Sequence, residues 1–206
     1  GCMERGLAAL GIEQRSLGQR AEFYQEKISE EGCQQAAMRS LMLGRTLIGE
    51  RVFDVDRAID YLYSRDDTDR KKIGVMGNSG GGTVSIYAAA MLSRIQFAMP
   101  SCAFCTFNDS IFSIFHCDCN YIPRILRYCD MADILGLFAP KPVTVVAGLK
   151  DEIFPIKGVK KAYRDLHVIY KAAGSADRCK LVIGKEGHRF FAEQAWKVML
   201  NLIDRV

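Results

Sequence analysis

Apolar residues in this chain fall into short unbroken runs, with longer stretches of helical period between them. The runs are Gly6–Ile12, Lys72–Met76, Phe97–Ala103, Val143–Gly148 and Lys180–Gly184. Each is too short for a core helix and is continuous rather than alternating, which predicts strands buried on both faces and hence a parallel sheet. Val52, Val55, Ile59 and Leu62 make an apolar stripe through Arg51–Arg65, and Phe191, Ala195, Val198 and Leu202 make another near the C-terminus. Strand alternating with helix, joined by right-handed crossovers, predicts a doubly wound α/β domain. The least regular stretch, Thr106 to Phe138, is rich in Phe, Cys, Tyr and Ile. It is expected to lay short helices over the strand ends as a cap-like segment, 106–138. On the length prior, residues 1–206 form a single domain, large enough for a substantial core.

At one strand-to-helix junction the pattern acquires chemistry. Gly77-Asn78-Ser79-Gly80-Gly81-Gly82 lies between the apolar run Ile73–Met76 and the helical stretch Thr83 to Leu92. A serine at the apex of such a turn reads as a nucleophile elbow, because glycines let strand and helix approach closely. The helix that follows brings free N–H groups to the place where an oxyanion would form, with Gly80 as the first donor. Phosphate-binding turns are also glycine-rich, but no Lys-Ser/Thr pair follows and no G-x-G-x-x-G is present, so nucleotide binding is the minor reading.

A serine hydroxyl needs a base, and the base needs an orienting partner. Of three histidines, His188 follows the last predicted strand; His167 lies mid-helix among Leu166, Val168 and Ile169, where packing is the simpler role. His116 stands in the irregular segment, where it and Tyr121 are candidates for the wall of a substrate pocket. Asp151 is the first carboxylate beyond the strand Val143–Gly148, with Glu152 and Asp109 as runners-up. Ligand chemistry in parallel sheets gathers at those strand ends. The order Ser79, Asp151, His188 is that of the α/β-hydrolase fold, not of the chymotrypsin or subtilisin folds.

Composition narrows the classes. Half the residues are apolar, a quarter are charged and the net charge is +4. That excess is too small and dispersed to predict nucleic-acid binding; the Arg70-Lys71-Lys72 cluster reads as a solvated loop. No run reaches the roughly 18 apolar residues that span a bilayer, and no signal peptide is visible, so a cytoplasmic location off the membrane is expected. The eight cysteines are then expected to be reduced thiols. A zinc site built from Cys102, Cys105, His116, Cys117 and Cys119 is the sharper alternative, but the spacing fits no common zinc knuckle. The expectation is therefore no metal and no cofactor.

Several stretches carry a family resemblance. They are Asp54 to Leu62, the GNSGGGT elbow, His116-Cys117-Asp118-Cys119-Asn120-Tyr121-Ile122-Pro123, Ala139-Pro140-Lys141-Pro142, and Gly148 to Pro155. With Gly11 to Arg20, which is similar to a strand four and its following loop, these resemble the α/β-hydrolases grouped with acetyl xylan esterases and dienelactone hydrolases. The resemblance implies the α/β-hydrolase fold and a carboxylesterase acting on small acyl groups, often acetyl on a sugar. It also implies a loss. The strand that would lie between strands four and five, and the loop after it that supplies a second oxyanion N–H, have no counterpart here. Three explanations compete: the chain is the C-terminal part of a longer domain, which is favoured; Gly6–Ile12 shifts to pair with Lys72–Met76 in a five-stranded sheet; or a homo-oligomer covers the bare face. Should the protein begin at Gly1, it is expected to be a weak esterase at best, since losing a donor costs on the order of 10²–10³ in turnover. A small-molecule ester is the expected partner. A serine peptidase and a non-catalytic binding module are the alternatives.

Overall fold

The computed structural model describes residues 1–21, 23–24, 27–28 and 33–203. Its centre is a four-stranded, wholly parallel sheet in the order β3 (Gly74–Asn78), β4 (Phe97–Ser101), β5 (Val143–Gly148) and β6 (Cys179–Gly184). A separate antiparallel pair, β1 (Phe23–Tyr24) and β2 (Lys27–Ile28), precedes it. The apolar run Val143–Gly148 is a strand over its whole length and is buried at every position. Lys72–Met76, Phe97–Ala103 and Lys180–Gly184 also form strands, each starting and stopping within two residues of its predicted bounds.

Helices α2 (Leu47–Tyr63), α3 (Gly80–Met91), α4 (Met131–Gly136) and α5 (Ile156–Ala172) share the larger core with Ala98, Val143, Val145 and Ala147. The α2 stripe buries Val52, Val55 and Ile59 as its period requires, and the Thr46 hydroxyl caps the helix by accepting from the Gly49 N–H at 3.2 Å. Asp130 and Asp133 close a capping box around α4, within the cap-like segment. On the other sheet face α6 (Ala192–Ile203) packs Ala195, Trp196 and Met199 on Met99, Val146 and Val182. Met76, in register with Met99 on that face, stays 40% exposed, so α6 does not cover the β3 edge.

The expected strand Gly6–Ile12 does not form, and the sheet has four strands rather than five. The local composition suits a strand, but an isolated strand has no ladder to satisfy its backbone, and no neighbour pairs with this one. Leu10 and Ile12 are exposed as a result. The next residues are anchored instead by charge. Arg15 donates bidentately to Asp54 at 2.8 and 2.9 Å and reaches Glu50 at 2.5 Å, while Arg51 donates to the Arg15 carbonyl at 2.8 Å. The thiol expectation also needs correction: Cys33 and Cys117, 84 residues apart, are joined as a disulfide. Folding brings α1 (Gln34–Met42) against the 3₁₀ turn Asp118–Asn120, a proximity that no local spacing encodes.

Candidate active site

Ser79 sits between β3 and α3 with φ 54° and ψ −121°, a strained conformation for a residue bearing a Cβ. Its N–H donates to the Ser101 carbonyl at 2.8 Å, which ties the turn to β4. Two glycines make the turn sterically feasible. A Cβ on Gly77 would lie 2.3 Å from the Gly81 carbonyl carbon, and one on Gly82 would lie 2.5 Å from the Ser101 carbonyl oxygen. Gly80 and Gly81 differ, since the nearest obstacle to each is the Gln14 side chain, at 3.8 and 3.6 Å. Gln14 thus lies over the start of α3, and its Oε1 is buried without a hydrogen-bond partner. Nothing in the local sequence around Gln14 predicts that position; the Arg15 anchor on α2 creates it.

Asp151 and His188 meet at the ends of β5 and β6. The Asp151 carboxylate is buried, accepts from the N–H groups of Ile153 and Phe154 at 2.9 and 3.1 Å, and lies 2.9 Å from His188 Nδ1. Its two loops are stitched together by Leu149 N–H to Gly184 O and Lys150 N–H to Glu186 O, at 2.8 and 2.9 Å. Gly148 permits this closeness, because a Cβ there would lie 2.0 Å from the Gly187 carbonyl oxygen. A bonded Asp fixes the imidazole so that Nε2 is left as the proton acceptor. That Nε2 is buried and has no hydrogen-bond partner, Ser79 included.

Around this pair are residues that the sequence did not assign to the catalytic site. Phe154 stacks on the His188 ring, with centroids 6.0 Å apart, and meets His116 edge-on at 5.4 Å. Cys102, with φ 46°, brings its sulfur within 4.8 Å of Asp151 and His188 and donates to the Arg189 carbonyl at 3.3 Å. Burial, ahead of the nearby Asp151 charge, pushes its thiol up to about 11, so it stands beside the pair as a neutral S–H. The strained φ at the end of β4 is what aims it there.

The other candidates do not join the Asp151–His188 pair, although His116 meets Phe154 beside it. Glu152 is exposed, and Asp109 is engaged by the Thr106 hydroxyl at 2.6 Å. His116 is buried with its Nε2 3.0 Å from Ser110 Oγ, and burial lowers its pKa; Tyr121 is 45% exposed. His167 lies on α5 with its ring 6.0 Å from Tyr163. The cysteines of the zinc alternative do not assemble: Cys105 is buried against the Pro155 carbonyl, Cys102 stands beside Asp151, and Cys117 and Cys119 lie with Cys33. A cleft of about 450 Å³ between α2 and α3, lined by Val52, Phe53, Tyr87, Met91, Leu92 and Ile122, contains none of Ser79, Asp151 and His188. No described helix is long and apolar enough to cross a membrane.

The sequence profile of the family described as acetyl xylan esterase (AXE1) matches residues 3–172. A Bacillus subtilis (strain 168) protein, provisionally named as the hydrolase YtaP, is 27% identical over 190 residues, covering 89% of this chain and 60% of that protein. The carbohydrate esterase MZ0003, from an unknown prokaryotic organism, is 26% identical over 155 residues, covering 66% of this chain and 33% of its own. Among solved structures, a Bacteroides fragilis NCTC 9343 protein provisionally described as an acetyl xylan esterase superposes with a TM-score of 0.70 at 15% identity. It covers 88% of this chain and 48% of that one. A glucuronoyl esterase of carbohydrate esterase family 15 from Caldicellulosiruptor kristjansonii superposes with a TM-score of 0.63 at 18% identity, covering 74% and 48%. These structures establish the α/β-hydrolase fold. The chain spans 60% or less of the length of each relative.

Proposed function

The chain belongs to the acetyl xylan esterase family, and from that premise we propose that it is the catalytic core of a serine-dependent carboxylic ester hydrolase. The substrates would be small acyl esters, acetyl among them, carried on carbohydrate. The observation that carries the proposal is the 2.9 Å Asp151–His188 pair with its free, buried Nε2, on the same sheet margin as a serine held at positive φ. Ser79 Oγ attacks the ester carbonyl carbon as its proton passes to His188 Nε2. Asp151 holds the tautomer and balances the imidazolium. The Gly80 N–H donates to the oxyanion. Collapse expels the alcohol, which takes the proton from Nε2, and water then cleaves the acyl-Ser79 ester by the same relay. The name of one relative, a carbohydrate esterase, supports a carbohydrate substrate.

The test is labelling with a fluorophosphonate, mapped by mass spectrometry, beside turnover of p-nitrophenyl acetate. A Ser79 adduct, with turnover abolished in Ser79→Ala, is expected. A second reading, a non-catalytic binding module, is favoured by the lack of a hydrogen bond between Ser79 and His188 Nε2 among the described residues. Absence of any Ser79 adduct in a folded chain would establish that reading and refute the hydrolase.

A further inference from the structure

Away from the candidate active site, three cysteines converge from two distant parts of the chain. Cys33 precedes α1, while Cys117 and Cys119 flank Asp118 at the start of a 3₁₀ turn. Their sulfurs all lie within 4.8 Å of one another, and the Cys117 and Cys119 sulfurs are 3.5 Å apart. Zinc–thiolate bonds of about 2.3 Å put the sulfurs of a tetrahedral centre about 3.8 Å apart, close to the Cys117–Cys119 separation, and breaking the Cys33–Cys117 bond lets the third sulfur move out toward the same spacing. Cys33 and Cys119 are buried, whereas Cys117 is exposed, which leaves a route from solvent.

The surroundings are those of a thiolate cluster. The Cys119 N–H donates to Cys33 Sγ at 3.4 Å, and the Asn120 side-chain amide donates to Cys119 Sγ at 3.8 Å. The guanidinium of Arg51, a buried residue of α2, lies beside the Cys119 sulfur. Donors of this kind orient metal-bound thiolates and disperse their charge. Three thiolates, one divalent cation and Arg51 sum to zero formal charge, which a largely buried site favours. The fold also has a use for such a link. Among the described residues, the buried apolar cluster in this corner is Cys33, Ala36, Ala37, Leu47 and Cys119, a small core to hold α1 in place.

We propose that, when its disulfide is reduced, the Cys33–Cys117–Cys119 cluster is a three-thiolate site for a thiophilic divalent cation of the zinc type, with water in the fourth position. A thiol or phosphine reductant breaks the Cys33–Cys117 S–S bond and is itself oxidised, to a disulfide or a phosphine oxide. Two thiols form. The cation then displaces three S–H protons into solvent as the three S–metal bonds form. In the oxidised chain the same link is the disulfide, so α1 is held to the 117–119 turn in either state.

The test takes the whole chain, reduced with a phosphine and moved anaerobically into metal-free buffer, and titrates it with Zn²⁺ against a chromophoric chelator. One Zn²⁺ per chain is expected. Cys119→Ser should weaken binding by more than about 10-fold, and Cys129→Ser, which alters a thiol outside the cluster, should bind as the unaltered chain does. Failure of the reduced chain to take Zn²⁺ from the chelator, or equal affinity in Cys119→Ser, would overturn the proposal. Should Cys119→Ser not fold, Co²⁺ added to the unaltered chain decides the matter. A thiolate-to-cobalt absorption band with the intensity of three sulfurs is expected, and an intensity of fewer than three refutes the site.

Discussion

The four glycines around Ser79 divide into two that the turn requires and two that it tolerates, and Gly82→Ala against Gly81→Ala measures the difference. A methyl on Gly82 would sit 2.5 Å from the Ser101 carbonyl oxygen and 2.7 Å from the Ala103 Cβ. Ordinary contact begins at 3.4 Å, so about 0.9 Å must be found by moving backbone, because neither obstacle is the end of a flexible side chain. The Ser101 carbonyl is also the acceptor that holds the Ser79 N–H at 2.8 Å. Moving α3 outward therefore lengthens the bond that fixes the nucleophile turn. Overpacking costs about 1–3 kcal/mol, and this rigid obstacle belongs at the upper end. A methyl on Gly81 meets only Gln14 Nε2, at 3.6 Å, and gains up to about 1 kcal/mol of helix propensity, less in a first turn. Urea unfolding followed by tryptophan fluorescence should therefore separate the two variants by about 2–3 kcal/mol. Fluorophosphonate labelling should slow in Gly82→Ala far more than in Gly81→Ala. Equal midpoints for the two variants would refute the steric account of the elbow.

Asp151→Asn should lower ester turnover by about 10³–10⁴-fold, the scale seen when an orienting aspartate is lost from a serine triad; p-nitrophenyl acetate kinetics on folded protein measure it, and a loss below 10-fold would remove Asp151 from the relay. His116, held by burial below its usual pKa, stays neutral in the folded chain where the unfolded chain takes up a proton. Its contribution is thus complete above the unfolded value of about 6.5 and declines as pH falls through it. Melting scans from pH 8 to pH 5 should show a smaller decline in His116→Gln than in the unaltered chain. Arg15→Met removes the bidentate bond to Asp54 and should cost about 1–2 kcal/mol after allowance for partial exposure. Burial pushes Asp54 up, but its bonds from Arg15 and Arg20 prevail and hold it below the usual carboxylate range. The stability from that pairing is present above about pH 3.9 and is lost as pH falls further; acid titration of the melting temperature should show a shallower loss in Arg15→Met.

The parts of the fold that the sequence made legible are those in which the local pattern and the tertiary environment demand the same thing. Val143–Gly148 is apolar but for Thr144 because helices cover both its faces, and its predicted bounds hold. The α2 stripe is legible for the same reason. Gly6–Ile12 has a comparable local pattern and fails, because a strand exists only as a member of a ladder and membership is not written in seven residues. The disulfide is a second failure of this kind. Cys33 and Cys117 are distant in sequence and become neighbours only when α1 folds back against the turn that follows His116.

At the candidate site the same division has a chemical consequence. The proposed triad of Ser79, Asp151 and His188 is drawn from residues that each follow a strand, and parallel strands of one sheet deliver their C-terminal ends to one margin. What the strands could not announce is how the margin is lined. Cys102 reaches Asp151 through a positive φ, Phe154 reaches His188 by stacking, and Gln14 reaches Gly80 because Arg15 is held on α2. All three depend on contacts made across elements. The turn that carries Ser79 is therefore local, but the solvent access and polarity around its hydroxyl are set by residues whose positions only the assembled fold determines. Variants at Gln14, Cys102 and Phe154 are accordingly expected to alter how a substrate is held while leaving the Asp151–His188 bond in place, and KM measured apart from kcat on one ester distinguishes those effects.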